Sequence, residues 1–214
     1  MNILSYGENA YTFWALNNHM KEILNQLGDS FEPVSCQVLF RPNFGRRAGD
    51  DRPQFGEFDF IILSGSSIYL GESMSDRSPG IKKGVMELKE PHCKRHIIFN
   101  KYIDSWFQTD FKDWTQFSNY HNGYFTYKYD RGKVYLPIAY PNSQLAKNLH
   151  YTLNLIKSHF GDRKPVTKNV FLFLHNNNSS YAPESISAID CKFEMVSVDY
   201  SLGLEGNSKY VNIR

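Results

Sequence analysis

The sequence predicts an α/β fold, with a central mixed β-sheet flanked by helices. Three observations predict it: helical spacing of apolar residues over 8–27, a short apolar hairpin over 58–72, and a second helical pattern over 143–160. A chain of 214 residues is long enough to bury one sizeable core. Its 41% apolar and 21% charged content is typical of a globular protein. We therefore expect residues 1–214 to form a single domain.

Three helices are expected along the chain. The first covers residues 8–27, where apolar side chains recur every three or four positions and Gly28 offers a stop. The second runs from Pro91, which suits the first turn of a helix, to about Trp106. The third covers residues 143–160. The apolar residues that carry the first and third patterns are Phe13, Leu16, Met20, Ile23, Leu24 and Leu27, and Leu145, Leu149, Leu153 and Ile156.

The strands are expected between these helices. Phe58–Leu63 is an apolar run of strand length, Ser64–Ser66 is a turn, and Ser67–Glu72 returns, which is typical of a β-hairpin. A second hairpin is expected to turn at Asp130–Gly132. Residues 41–56 combine Gly and Pro without periodicity, so they are expected to form a loop. Further strands are predicted at Pro33–Phe40, Val85–Leu88, Val170–Leu174 and Phe193–Val198.

Composition predicts the cellular compartment of the protein. Cys36, Cys93 and Cys191 are far apart and odd in number, so reduced, buried thiols are expected. The N-terminus lacks the pattern of a signal peptide, and no apolar run approaches the ~20 residues of a membrane span. These features predict a cytoplasmic protein with no membrane partner. The formal charge of +2 neither demands nor excludes a nucleic-acid partner.

Two carboxylates stand at the open end of the first hairpin. Asp59 lies near the start of one strand and Glu72 at the end of the other, at comparable heights because each strand residue advances the chain by ~3.4 Å. Carboxylate oxygens are the ligands that Mg²⁺ prefers, and a bound divalent ion assists phosphodiester hydrolysis. The alternative is a pair of solvent-exposed carboxylates at the end of a hairpin.

The segment GEFDFIILSGSSIYLGES resembles the core of the PD-(D/E)XK, or restriction-endonuclease-like, nuclease superfamily. The resemblance implies that Asp59 and Glu72 bind Mg²⁺, with Mn²⁺ as a substitute. The run GENAYT is similar to the first helix of such nucleases, which implies that Glu8 contributes a further carboxylate. The resemblance covers roughly residues 7–106, and 107–214 would add strands and helices. It implies a restriction-type DNA endonuclease with a restriction-endonuclease-like fold.

Position 74 departs from this pattern, because the motif requires lysine there and this chain has Met74. A thioether carries no charge, and losing one such electrostatic stabiliser commonly costs ~10²–10³ in rate. The chain is therefore expected to be inactive or impaired. Three explanations stay open: an engineered change, a natural loss of activity, or replacement by another lysine among Lys82, Lys83 and Lys89. The alternative function is a non-catalytic DNA-binding or regulatory module that kept the nuclease fold.

The predicted loop before the hairpin contains Arg41, Arg46, Arg47 and Arg52. Flexible arginines beside a metal site suit contacts with the phosphates of double-stranded DNA. The alternative is a solvated loop balanced by its aspartates. Cutting both DNA strands often uses a two-fold dimer, so a homodimer is one expected assembly, although no residue argues for it.

Other residues have two interpretations each. Glu57 either joins the carboxylate site or flanks it. His92 and His96 lie four apart on one helix and are expected to pack or cap rather than bind zinc, because no HExxH pattern surrounds them. The segment 175–180 either forms a turn or presents amides to adenine edges. The aromatic stretch 106–139 either forms core or stacks on unpaired bases.

Overall fold

A computed structural model describes residues 3–44, 56–76, 81–82, 84–129, 132–177, 183–188 and 191–213. The elements follow one another along the chain as β1 (Ile3–Ser5), α1 (Glu8–Asn18), α2 (Met20–Gln26), β2 (Gln37–Phe40), β3 (Phe60–Leu63), β4 (Ser67–Ser75), β5 (Ile81–Lys82), β6 (Val85–Glu87), α3 (Glu90–Trp106), α4 (Trp114–Tyr120), β7 (Tyr124–Tyr129), β8 (Gly132–Pro137), α5 (Gln144–Phe160), β9 (Val166–His175), β10 (Ser185–Ser187), β11 (Glu194–Asp199) and β12 (Val211–Ile213). The protein is therefore α/β.

The central sheet has five strands in the order β11, β9, β4, β3, β2. The strands β2, β3 and β4 pair antiparallel, whereas β4, β9 and β11 pair parallel, so the sheet is mixed as predicted. Every residue of β3 is buried, and so are nearly all residues of β4. A continuous apolar strand of this kind is typical of a sheet covered on both faces. Short sheets pair β1 with β12, β7 with β8, and β6 with β5 and β10.

The chain divides into two compact units. The first unit comprises residues 1–42, 58–93 and 166–214 and contains the central sheet. The second unit comprises residues 43–57 and 94–165 and contains α4, α5, the β7–β8 hairpin and most of α3. The prediction that residues 1–214 behave as one domain stays a prediction.

In the first unit, α1 and α2 cover one face of the sheet. The predicted single helix over 8–27 was wrong in one respect, because His19 interrupts it with φ of −121°. Asparagine and histidine have weak helix propensity, and Asn17, Asn18 and His19 follow one another at the break. Helix and sheet residues that share this core include Tyr11, Trp14, Ile23, Leu24, Phe60, Ile62, Tyr69 and Leu172.

A smaller apolar cluster belongs to the same unit. It consists of Met86, Leu88, Cys93, Phe171 and Phe173, and Met74 packs against it partly buried. Residues 72, 74, 171 and 173 alternate along β4 and β9, which pair in parallel register. The side chains of Glu72 and Met74 therefore lie on the same face of the sheet.

In the second unit, the aromatic stretch forms core. Tyr102 stacks on Trp114 and meets Phe125 edge-on, and Trp106 packs on Phe117. The helix α4 was not predicted, because aromatic residues dominate its sequence. It begins at Asp113, whose carboxylate accepts a hydrogen bond from the Gln116 amide. These aromatic rings therefore form the core of the second unit.

Two smaller expectations have outcomes here. The predicted strand Pro33–Phe40 is a strand only over Gln37–Phe40, because Pro33–Ser35 forms a 3₁₀ turn. All three cysteines are free thiols, with Cys93 buried and the other two half-buried.

Along the described part of the chain, no helix combines the length and apolarity that crossing a membrane requires.

Candidate functional site

The hairpin of β3 and β4 places the two predicted acidic residues opposite each other in register, whereas their carboxylates have different hydrogen-bond partners. The register pairs Phe60 with Gly71, and the Asp59 amide donates a hydrogen bond of 3.1 Å to the Gly71 carbonyl. Asp59 therefore stands opposite Glu72, one residue beyond the last pair of β3. Gly71 is required here, because an added Cβ would lie 2.1 Å from the Phe60 ring. This close ring packing fixes the strand end that carries both acids.

Asp59 is half-buried, and β4 holds its carboxylate in place. Its Oδ2 accepts hydrogen bonds from the Ser73 amide at 2.7 Å and the Ser73 hydroxyl at 3.1 Å. Burial nevertheless raises the pKa of Asp59, and the negative charges of Glu72 and Glu8 raise it further. Its surroundings thus disfavour the ionised carboxylate despite two good donors. An added positive charge would relieve that electrostatic cost.

Glu72 is almost fully buried, with 3% of its surface exposed. Its Oε2 lies 2.8 Å from Nδ1 of His92, whose side chain is 37% exposed. His92 is in the first turn of α3, where its amide donates to the Lys89 carbonyl. The N–H at Nδ1 can donate to the carboxylate in either charge state of the imidazole. A buried carboxylate without such a partner would be costly.

Glu8 approaches the same strand from α1. It is the first residue of that helix, and its Oε2 accepts a hydrogen bond of 3.0 Å from the Ser75 amide. One turn later, the Thr12 hydroxyl lies 2.8 Å from the hydroxyl of Ser73, the residue that donates to Asp59. Thr12 and Ser73 are both buried. The helix and the two carboxylates are therefore tied to one short stretch of β4.

Position 74 carries no positively charged side chain. The Met74 side chain is partly buried against the apolar cluster of Phe171, Phe173 and their neighbours. It shares a face of the sheet with Glu72, two residues earlier. Lys89, one proposed replacement, is exposed just before α3. Lys83 and the side chain of Lys82 lie outside the described residues.

The predicted DNA-binding arginines are only partly described. Arg41 is exposed, and its backbone has a φ of 48°, a left-handed value that is uncommon for a residue with a side chain. Its amide donates a hydrogen bond of 2.9 Å to the Asp59 carbonyl, so its backbone adjoins the carboxylate pair. Arg46, Arg47 and Arg52 lie outside the described residues.

The remaining candidates have other surroundings. Glu57 belongs to the second unit, where it pairs with Asn43 in an isolated bridge. His96 is fully buried, also in the second unit. At the end of β9, the Asn176 amide donates to the Asp76 carboxylate at 3.0 Å, which is a contact between the ends of the neighbouring strands β9 and β4. Residues 178–180 of that segment lie outside the described part of the chain.

The donor set fits a hard divalent cation. Carboxylate oxygens of Asp59, Glu72 and Glu8 are the ligand type that Mg²⁺ and Mn²⁺ take. Burial raises the pKa of Asp59 most, and the negative charges of Glu72 and Glu8 raise it further, so a positive charge placed beside this carboxylate would favour its ionised form. Within the described ranges, however, no three His, Cys, Asp or Glu side chains are grouped as the ligands of a metal ion. A cation held by all three carboxylates would require them to lie closer together than they do among the described residues.

Three members of the site were missed by sequence reasoning: His92, Ser73 and Thr12. Serine and threonine carry no local signal for holding a carboxylate. His92 lies 20 residues from Glu72, and nothing in its own surroundings links the two.

No protein-family model, curated protein or solved structure matches this chain.

Proposed function

We propose that this chain is a PD-(D/E)XK-type domain that binds double-stranded DNA and a divalent cation. In its intact form such a domain is a restriction-type endonuclease that hydrolyses phosphodiesters. The observation that carries the proposal is the placement of half-buried Asp59 opposite buried Glu72 at one hairpin end, with Glu8 hydrogen-bonded to the same strand. With Met74 in place of lysine, we expect cleavage to be absent or impaired.

The carboxylates of Asp59, Glu72 and Glu8 would hold Mg²⁺, with Mn²⁺ as a substitute. When bound, the metal polarises a phosphoryl oxygen and lowers the pKa of a coordinated water. The chain's own groups prepare this site. Ser73 orients Asp59 through two hydrogen bonds, and His92 orients Glu72 through one. Hydrogen-bonded ligands of this kind are typical of metal sites.

The site lacks a positively charged side chain beside Glu72. In phosphodiester hydrolysis, a fixed positive group stabilises the charge that develops on the phosphate. A lysine at position 74 would extend from the same face of β4 as Glu72. Its methylene groups can lie along Phe171 and Phe173 while the ammonium group reaches polar surroundings. The fold should therefore accept lysine at this position.

A second candidate is a non-catalytic DNA-binding or regulatory module. The packing of Met74 on an apolar cluster favours it, since this side chain stabilises the fold where a nuclease would keep a charge. The two candidates predict the same DNA binding and differ in whether the remaining machinery can cleave.

Cleavage of supercoiled plasmid in Mg²⁺ and in Mn²⁺ distinguishes the endonuclease from the non-catalytic module. Met74→Lys should gain cleavage of at least ~10²-fold over the present chain, because the charge it restores is commonly worth that factor. Met74→Leu keeps the size and apolar character of the side chain and should gain nothing. Met74→Lys/Asp59→Asn controls for contaminating nuclease and should be inactive.

One result would count against the endonuclease assignment, and another would count against the role given to position 74. If Met74→Lys folds but cleaves no faster than Met74→Leu, the chain is the non-catalytic module. If the present chain already cleaves as fast as Met74→Lys, another group does the lysine's work. Lys82, Lys83 and Lys89 would then be the first residues to test.

A further inference from the structure

The near-neutral charge of the chain is unevenly divided between its two units. The second unit contains 14 Lys and Arg against 8 Asp and Glu, a net charge of +6. The first unit, which carries the carboxylate site, contains 10 against 14, a net charge of −4. A unit of +6 within a protein of +2 attracts polyanions, whereas the first unit repels them.

The helix α5 concentrates this asymmetry. None of its 17 residues is Asp or Glu, whereas Lys147 and Lys157 are both basic. Its apolar side is buried in the second unit, with Leu149, Leu153 and Ile156 fully covered. Ser143 caps its start by accepting a hydrogen bond from the Ala146 amide, and Gly161 ends it at a φ of 62°. The helix is thus well defined at both ends.

The opposite side of α5 faces solvent, and we call it the α5 outer face. It consists of Lys147, Tyr151, Asn154 and Ser158, which are all exposed and recur at helical spacing. Tyr151 has 69% of its surface exposed, so its ring and hydroxyl are accessible to a partner. These four side chains also line a shallow depression on the surface.

Two neighbouring cations are already neutralised. Lys157 pairs with Asp110, and Lys164 pairs with Asp104 at 2.8 Å. The α5 outer face itself carries one positive charge and three hydrogen-bonding groups. Lysine, tyrosine, asparagine and serine are among the side chains that contact phosphate oxygens of DNA. A phosphate backbone is contacted by cations and by neutral hydrogen-bond donors together, which is the combination that this face offers.

We propose that the α5 outer face binds the phosphate backbone of duplex DNA. This inference rests on the proposed function, because it assigns that function's partner to a surface of the second unit. It differs from the arginine-rich segment 41–52, which the sequence alone suggested. The match is one of charge and donor chemistry: a helix without carboxylates, in a unit of +6, presented to a polyanion.

Fluorescence anisotropy with a labelled duplex of about 30 base pairs tests the surface. Binding is measured in EDTA, so that no cleavage occurs, over a range of salt concentrations. Lys147→Gln should weaken binding and lower the slope of log K against log[salt] by about one unit, because one phosphate contact releases about one counterion. Tyr151→Ala should weaken binding about threefold to tenfold with little change of slope, because it removes no charge.

Lys21→Gln is the matched control, because Lys21 is an exposed lysine on α2 of the first unit. It makes the same change in net charge and should leave affinity and slope near those of the parent protein. Circular dichroism and the thermal midpoint establish that each variant is folded. Equal losses in Lys147→Gln and Lys21→Gln would mean that only net charge matters, and would overturn the proposal.

Other outcomes of the binding measurements also decide whether the α5 outer face binds DNA. Unchanged binding by both Lys147→Gln and Tyr151→Ala removes the α5 outer face from the interface. Tighter binding of an RNA duplex of the same sequence, or no binding of either duplex, overturns the assignment to DNA. The nuclease proposal fails separately, on the cleavage by Met74→Lys. Loss of binding in Lys147→Gln without cleavage by Met74→Lys would leave a DNA-binding protein that uses this surface.

Discussion

The ionised carboxylate of Asp59 lies in surroundings that disfavour its charge. Two hydrogen bonds from Ser73 favour its ionised form, but burial and the charges of Glu72 and Glu8 outweigh them and raise its pKa. A carboxyl with a raised folded-state pKa contributes stability that is fully present below its unfolded pKa. That contribution is lost as the pH rises through the folded pKa. Above its folded-state pKa, the ionised Asp59 therefore destabilises the metal-free fold.

Asp59→Asn should consequently stabilise the metal-free protein at pH 7. The amide oxygen can still accept from Ser73, while the charge repelled by Glu72 is gone. We expect the free energy of unfolding to rise by on the order of 1 kcal/mol, the usual size of the effect of a single substitution. The gain should shrink as the pH falls, because protonation of Asp59 in the parent protein removes the same negative charge. Urea unfolding in EDTA at several pH values measures it.

Glu32→Gln provides the control for this experiment, because Glu32 is an exposed carboxylate of the same unit. Its effect should stay within ~0.5 kcal/mol at every pH, as for most surface substitutions. A destabilising Asp59→Asn at pH 7 would show that the hydrogen bonds of the ionised carboxylate outweigh its burial.

At the scale of elements, α3 and β4 meet through His92. The first turn of the helix brings an imidazole against the buried carboxylate of Glu72, at the strand that also contacts α1. His92 is 37% exposed, so its packing contribution to the fold is small. Its hydrogen bond to Glu72 restricts the rotation of that carboxylate. We therefore assign His92 the role of a positioning residue for the cation site.

His92→Ala should weaken Mn²⁺ binding about 10-fold, since outer partners of metal ligands are commonly worth 10-fold to 100-fold in affinity. His92→Asn, whose amide N–H can take the place of Nδ1, should recover most of this loss. Isothermal titration calorimetry with Mn²⁺ alone gives both dissociation constants. A merely structural role would instead lower the thermal midpoint of His92→Ala and leave its affinity for Mn²⁺ unchanged.

How much of this arrangement the sequence predicts depends on the range of the contacts. The hairpin of β3 and β4 was predictable because an apolar run, a Ser-Gly-Ser turn and a returning strand are local signals. The contact of His92 with Glu72 was not, because it depends on where α3 sits. Neither was the pairing of β1 with β12, since strands of three residues near the two chain ends carry no local pattern. Predicting α1 and α2 as one helix failed because apolar spacing continues through the break at His19.

Across the whole molecule, charge is distributed by unit. The first unit has a net charge of −4 and includes Asp59, Glu72 and Glu8, so it favours a cation. The second unit has a net charge of +6 and favours a polyanion. A metal-dependent nuclease needs both properties, because its metal must be bound by carboxylates while its substrate is an extended anion. The net charge of the chain conceals this division.

The most direct test of the account is whether Asp59 and Glu72 together bind one divalent cation. Mn²⁺ titration followed by electron paramagnetic resonance of the free ion, at pH 7.5, counts the bound ions. We predict one Mn²⁺ per chain, with affinity weakened at least ~10-fold in both Asp59→Asn and Glu72→Gln and unchanged in Glu32→Gln. Absence of Mn²⁺ binding in the parent protein, or equal binding by the parent and both site variants, would contradict the cation site.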